Sequence, residues 1–491
     1  MTTEANLPVL VGVGQILQRT DDPAAAAEPL EMMIQALDAA AADAGAPALL
    51  AQADSVRVIR GMWKYGDPAR VVAERVGCAG AETMGSPFGG NFAQATLNDA
   101  CRQIAAGQCK VALIAGAENG RSHVMAKRAG IKLDLTKAPG EPDRMIAEEK
   151  HMWHPAELAR GIQQATEHFS LVESAIRHAR GETVDAHRRR IAGLWAGFNE
   201  VARDNPHAWI RKAYTADEIG TVSDANPLVC TPYPRLMNAN MRVDMGAALI
   251  VCSVEAARAA GVAEDKFVFL HAGTEVNDAD SPSTRDNMHS APAMGIGGKA
   301  ALELAGVTAD DVAHLDLYSC FPAAVQLAAT AIGIDLGRQL TVTGGLTFGG
   351  GPLNCYSLTA IARMVEVLRA DPGSRGFVGS VGGFLAKYSF GVYSTERPKD
   401  GFAYANPQHE ADGLPRREAL VDFEGPVTIE AHTVAHAGGE PRYGLAACLT
   451  EDGKRTWARV EDDRDLLDAM AGEDLVGRAA RLDGNGGLQL S

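Results

Sequence analysis

The sequence predicts an α/β protein with a helical insertion and a separate all-β domain at its C-terminal end. Three observations carry that prediction. Apolar strand-like runs alternate with helix-period segments over residues 7–120 and again over 235–398. Residues 121–234 are rich in charge, His and Trp and hold few strand-like runs. Beyond residue 415 the pattern turns to short strands separated by turn signals.

The elements follow in order. "LPVLVGVGQI" reads as a buried strand, followed by an Ala-rich helix from Glu28 to Ala44 that Gly45 closes. "DSVRVIRG" is a strand, and "PARVVAERVG" a helix with Pro68 in its first turn. A Gly-rich loop, "MGSPFGGN", precedes a helix from Phe92 to Ala106 and the strand "KVALIAGAEN". After the insertion come "MGAALIVCSVEAARAAG" (strand then helix), the strand "KFVFLHAGTEV", the helix "GKAALELAG", the strand "VAHLDLYSC" and the helix "PAAVQLAATAIG". A second Gly-rich loop, "GGLTFGGGP", then leads into the helix "SLTAIARMVEVLRAD" and the strand "GFVGSVGG". Two halves that each place a Gly-rich loop before a helix suggest an internal duplication. Such alternation implies parallel sheets covered on both faces. The C-terminal segment reads as five strands, with the helix "RDLLDAMAG" between the third and fourth, which suggests a small OB-like β-barrel. Pro398 to Pro415 reads as the linker before it.

Composition narrows the function. With 46 basic and 62 acidic residues the net charge is −16, which argues against a protein-wide nucleic-acid surface but leaves room for one local anion site. No secretory leader and no membrane-spanning run are expected. The eight cysteines (78, 101, 109, 230, 252, 320, 355 and 448) form no C-x-x-C pair, so neither a metal module nor a disulfide framework is expected, and a reducing cytoplasm is. "MGIGGKAAL" fails as a phosphate loop, because Ala293 stands at its first glycine and Ala300 follows Lys299; "GVGQIL" fails as a dinucleotide fingerprint at Leu17. The basic run from Arg177 to Arg190 fits either a solvated helix face or an anion site for one phosphorylated ligand.

Six segments in order resemble the thiolases. "RQIAAGQCKVALIAGAEN" resembles the helix–strand segment after the nucleophile, and "HMWHPAE" the His-Met-Gly segment of the loop domain. "PAMGIGGKAALELAG" is similar to the Met-Gly-x-Gly-Pro segment, and "LDLYSCFPAAVQLA" to the Asn-Glu-Ala-Phe or His-Asp-Cys-Phe region. "GGLTFGGGP" is similar to the Gly-His-Pro segment, and "GSVGGFL" to the Cys-x-Gly-Gly segment. The resemblance spans residues 7–396, and with the added C-terminal domain it is closest to the thiolase-like protein type 1 group. It implies a duplicated thiolase fold of αβαβα layers. The N-terminal half would take 1–120 and 235–265, the loop domain 121–234, the C-terminal half 266–398 and the added β-barrel 415–491. Either a monomer or a homodimer is compatible with it.

Thiolase chemistry needs a Cys nucleophile, a His that activates it, a second Cys for proton transfer and donors for the thioester oxyanion. Carried over by position, the nucleophile falls on Gly90, or within "FGGN" if the register slips, the activating His on Gly351 and the second Cys on Ser380, with Tyr318 in place of the Asn or His of the fourth segment. The resemblance therefore implies a binder of CoA or an acyl-CoA in lipid metabolism, with no tightly held cofactor or metal and without thiolase turnover. The site it implies comprises Asn91, Met152, Met294, Tyr318, Phe321, Gly351, Ser380 and Gly382, with Arg188, Arg189 and Arg190 for the CoA phosphates. Two further readings stand beside it. One is an acyltransferase with a relocated nucleophile, Cys320 or Cys355, served by His271 or His289; against it, both thiols fit ordinary core packing. The other is an interaction scaffold.

Overall fold

A computed structural model describes residues 4–491. Two mixed sheets face each other. The first has six strands in the order Pro8–Leu17, Asp244–Ser253, Val111–Asn119, Ser55–Val58, Glu82–Gly85 and Arg144–Met145. The second has five, in the order His314–Leu317, Gly376–Gly382, Lys387–Ser394, Phe269–Asn277 and Ala403–Ala405. The helices Phe92–Ala105 and Tyr356–Ala370 touch strands of both sheets and each other, so they form the layer between. A middle layer requires helices buried on every side, and both are: small and apolar residues alternate around Phe92–Ala105, with Gln94 and Asn98 bonded to each other at 2.8 Å. Pro29–Ala44 and Pro68–Val76 cover the outside of the first sheet; Pro292–Leu304 and Pro322–Ile332 cover the second. The layers are αβαβα.

The sheets are not parallel throughout, as the alternation had implied. Asp244–Ser253 enters antiparallel between Pro8–Leu17 and Val111–Asn119. The chain reaches it from the long insertion, so no right-handed crossover fixes its direction. Gly376–Gly382 and Lys387–Ser394 form an antiparallel hairpin, because four residues are too few for a parallel return. The strand Lys387–Ser394 has no counterpart in the sequence expectations, although it is buried on both faces at the centre of its sheet. The linker also contributes, since Ala403–Ala405 pairs in parallel with Phe269–Asn277.

All five expected C-terminal strands are present, with the helix Arg464–Gly472 between the third and fourth. They order as Arg455–Val460, Glu440–Thr450, Gly425–Ala437, Ala479–Leu482 and Leu488–Leu490. Leu228–Cys230 from the insertion joins the same sheet through Cys230 opposite Ala435. The sheet curls until the Arg459 N–H donates to the Gly486 carbonyl at 2.9 Å, without a ladder between the outer strands.

A junction of three parts holds this domain in place. The fully buried Arg455 donates to Glu430 at 2.6 Å and to the carbonyls of Pro282, Ser283, Arg285 and Asp286. Trp457 Nε1 donates to Ser283 Oγ at 2.8 Å, and Ser283 in turn donates its N–H and hydroxyl to Glu157 of the insertion. No helix among the described residues is long and apolar enough to cross a membrane. Arg455→Ala strands a carboxylate and four carbonyls, and is expected to cost about 3–5 kcal/mol in urea unfolding. Arg455→Lys should recover little of it, because an ammonium cannot reproduce the planar fork.

Candidate functional site

The two middle-layer helices bring their N-termini together, and Ser357 Oγ donates to the Gly90 carbonyl at 3.2 Å. Gly90 has no room for a side chain. A β-carbon there would overlap the Tyr318 hydroxyl, with the Val381 carbonyl 2.6 Å and Tyr318 Cζ 2.8 Å away. Gly382 is equally confined, its β-carbon position lying 2.9 Å from Asn91 Cγ and 3.3 Å from Gly89 Cα. Gly90, Asn91, Tyr318, Ser380 and Gly382 are thus the expected site residues that the fold brings together.

Tyr318 is set by its neighbours. Its ring meets Tyr356 edge-on at 5.4 Å, and its hydroxyl has no hydrogen-bond partner among the described residues. Burial, with Cys320 and Cys355 nearby, pushes its phenol well above the usual range. Tyr356 is anchored by a fully buried carboxylate, Asp316, at 2.9 Å. Asp316 also accepts from the Thr341 and Thr343 hydroxyls and the Val342 and Thr343 N–H groups, at 2.9–3.3 Å. Burial raises its pKa, and the hydrogen bonds oppose that rise.

The second Gly-rich loop is shaped by close approach. Residues Gly345–Gly349 make one turn of π-helix under the insertion helix Val184–Asp204. Gly344, at φ 93°, would place a β-carbon 2.7 Å from Ala202 Cα, and Gly345, at φ 73°, 2.7 Å from Phe198 and from Ser319 Oγ. Trp195 Nε1 pins the turn by donating to Thr347 Oγ1 at 3.1 Å. Gly351 donates its N–H to the Asn240 carbonyl at 3.0 Å.

Other expected residues lie apart. Met294 is buried in the helix covering the outside of the second sheet. Phe321 stacks on Phe169 at 4.7 Å and on Tyr233 at 5.6 Å. Met152 is half-buried, its sulfur 3.7 Å from a β-carbon built at Gly383. Arg189 is exposed, whereas Arg190 is held by Glu182 and Gln326, each at 2.8 Å; Arg188 is half-buried. Burial pushes the Cys320 and Cys355 thiols far up, which disfavours the thiolate a nucleophile needs. His271 Nε2 donates to the Glu396 carbonyl, 2.7 Å away, with its pKa pushed down to about 4 by burial, and His289 lies on an exposed loop.

Four further polar residues frame the site and were absent from the sequence reading. Lys387, 5% exposed, donates to the Phe88 carbonyl at 3.2 Å, and burial lowers its pKa. Ser389 lies directly across the ladder from Ser380. His168 stacks on Phe384 at the tip of that hairpin. Glu118 is the penultimate residue of the strand Val111–Asn119 and accepts from the Met62 N–H at 2.7 Å. The only available signal was "KYSF" after a Gly-Gly turn, a hairpin pattern that would have placed Lys387 and Ser389 on one face. A polar cleft of about 500 Å³ flanks the hairpin, lined by Asn277, the ladder partner of Lys387, with Lys150, Asp280, Gln408 and Arg416.

No family model and no curated protein matches the chain. Solved structures do. A monomeric SCP2-thiolase-like protein type 1 from Mycobacterium smegmatis is similar over 100% of both chains, at 30% identity and a TM-score of 0.85. An acetyl-CoA acetyltransferase from Syntrophomonas wolfei matches 80% of this chain and 100% of its own, at 18% identity and a TM-score of 0.54. The dimeric peroxisomal thiolase of Saccharomyces cerevisiae matches 81% of this chain and 99% of its own, at 13% identity and a TM-score of 0.58. These last two share the fold.

Two predictions follow from the packing and charge of the site. Gly90→Cys should lower stability by about 2 kcal/mol or more through overpacking, and adding Tyr318→Ala should recover part of it; thermal unfolding measures both. Burial pushes the Glu118 carboxyl up to about 7, against 4.5 for a free glutamate. Folded Glu118 therefore keeps its proton between pH 4.5 and 7 while the unfolded chain loses it, so this group's contribution to stability falls across that window. Glu118→Gln should match the parent near pH 4 and exceed it by about 2–3 kcal/mol at pH 8, read from urea unfolding at each pH.

Proposed function

This chain belongs to the thiolase superfamily, in the group of SCP2-thiolase-like proteins type 1, and from that premise we propose that it binds an acyl group carried as a CoA thioester and does not cleave it by thiolysis. The observation that carries this reading is the Tyr318 phenol, which fills the space over Gly90 where a nucleophilic side chain would have to stand. A site with a glycine at the nucleophile position, another at the base position (Gly351) and a serine for the second thiol (Ser380) retains backbone and lining but no group that can take an acyl chain. Losing a nucleophile or its base costs on the order of a millionfold in turnover. A thiol elsewhere does not supply the loss, because Cys320 and Cys355 are both buried and held protonated.

The thioester would lie against the hairpin Gly376–Ser394, with Asn91, Ser380 and Gly382 beside its carbonyl. For the phosphates of CoA, Arg188 and Arg189 are the candidates, Arg190 being engaged within the protein. The role is in acyl-chain metabolism, in a reducing cytoplasm that suits eight free cysteines. Calorimetry with CoA and acetyl-CoA, beside an acetoacetyl-CoA cleavage assay, tests it. Saturable binding without cleavage above the uncatalysed rate is expected. Absent binding, or cleavage above the uncatalysed rate, would refute it.

A further inference from the structure

Buried polar groups without a partner gather around one hairpin. Asn91 Oδ1, Ser380 Oγ, Ser389 Oγ and both ring nitrogens of His168 are sealed from solvent and reach no hydrogen-bond partner. Ser380 and Ser389 face each other across the ladder, Asn91 abuts Gly382, and His168 stacks on Phe384 at the tip, with ring centroids 3.9 Å apart. His168 reaches that tip from the insertion helix Ala165–Ala179 and is 2% exposed. Trp153 meets the same Phe384 at 5.9 Å, and Met152 lies against Gly383.

A phenylalanine in place of His168 would stack on Phe384 as well and leave no polar atom stranded. The imidazole is therefore a destabilising choice, since an unpartnered buried donor or acceptor costs free energy. Residues that weaken the fold without a structural return are the ones to examine for binding. Burial pushes the ring pKa down to about 3, so it is neutral at working pH and presents one N–H and one lone pair.

Resting on the thioester reading above, we propose that His168 selects the acyl chain, binding a hydroxyl carried on it. The chemistry of the unpartnered set picks a hydroxyl over a ketone. Asn91 Oδ1 and the imidazole lone pair are acceptors and need a donor, which a ketone lacks, whereas a hydroxyl both donates and accepts. Met152, Trp153 and Phe384 supply apolar wall for the carbon chain. The ligand class is a hydroxyacyl thioester.

Calorimetry on the full chain with two matched pairs tests this: butyryl-CoA against 3-hydroxybutyryl-CoA, and octanoyl-CoA against 3-hydroxyoctanoyl-CoA. The parent protein should bind at least one hydroxylated member about tenfold tighter than its partner. His168→Phe should erase that preference while keeping affinity for the unsubstituted chain, and should raise Tm by about 1–2 °C. His168→Gln, which restores a donor and an acceptor, should recover part of the preference. Equal binding within both pairs overturns the selection by His168 and leaves the thioester reading intact. So does a preference that His168→Phe leaves unchanged, or a fall in Tm in that variant, which would mark the ring as satisfied by buried water. Failure to bind any of the four thioesters overturns both.

Discussion

The arrangement of the site depends on one buried carboxylate. Asp316 is fully enclosed, and an enclosed charge is tolerable only when its lone pairs are filled. Two threonine hydroxyls, two backbone N–H groups and the Tyr356 phenol fill them. Those donors come from the segment that leads into the second Gly-rich loop and from the first residue of a middle-layer helix. Asp316 itself stands two residues before Tyr318. One side chain thus fixes three backbone segments relative to each other, and through Tyr356 it orients the ring whose hydroxyl lies over Gly90.

Glycine is the consequence. Gly90 and Gly382 are dictated by the side chains that press on them, Tyr318 and Asn91, and Gly344 and Gly345 by the helix Val184–Asp204 laid across the loop. The second Gly-rich loop is therefore neither a phosphate cradle nor an open turn. Its glycines permit backbone to pass within van der Waals distance of a helix, and three of them, Gly344, Gly345 and Gly350, adopt the positive φ that other residues resist. The same crowding leaves no room for a side chain at Gly90.

The added C-terminal sheet is integral to this architecture. Arg455, Trp457 and Glu430 grip the segment 282–286, and Glu157 of the insertion shares Ser283 with them. Arg177 and His178 of the helix that carries His168 hold Asp474 at 2.8 and 2.9 Å. The sheet therefore braces the insertion helix against the hairpin, which sets the separation between His168 and Phe384. Its contribution to the site is made through position.

By itself the sequence determined the local elements and the layer order. Periodicity, proline at helix starts and glycine at helix ends placed the helices at 29–44, 68–76 and 92–105, and turn signals placed all five C-terminal strands. It also matched Gly90, Gly351 and Ser380 to the thiolase catalytic positions through the order of its motifs. Tertiary structure decided strand direction, the strand Lys387–Ser394, and the partners of every buried polar group. Strand direction depends on the path of the long insertion, which local pattern does not encode. The strand's polar Lys387 and Ser389 hid it from a search for apolar runs. His168 lies in the insertion rich in charge, His and Trp, where nothing in the sequence singles it out, and only the folded structure shows that both its nitrogens lack a partner. Hydrogen-bond satisfaction is a property of residues distant in sequence, so it exists only once the chain has folded.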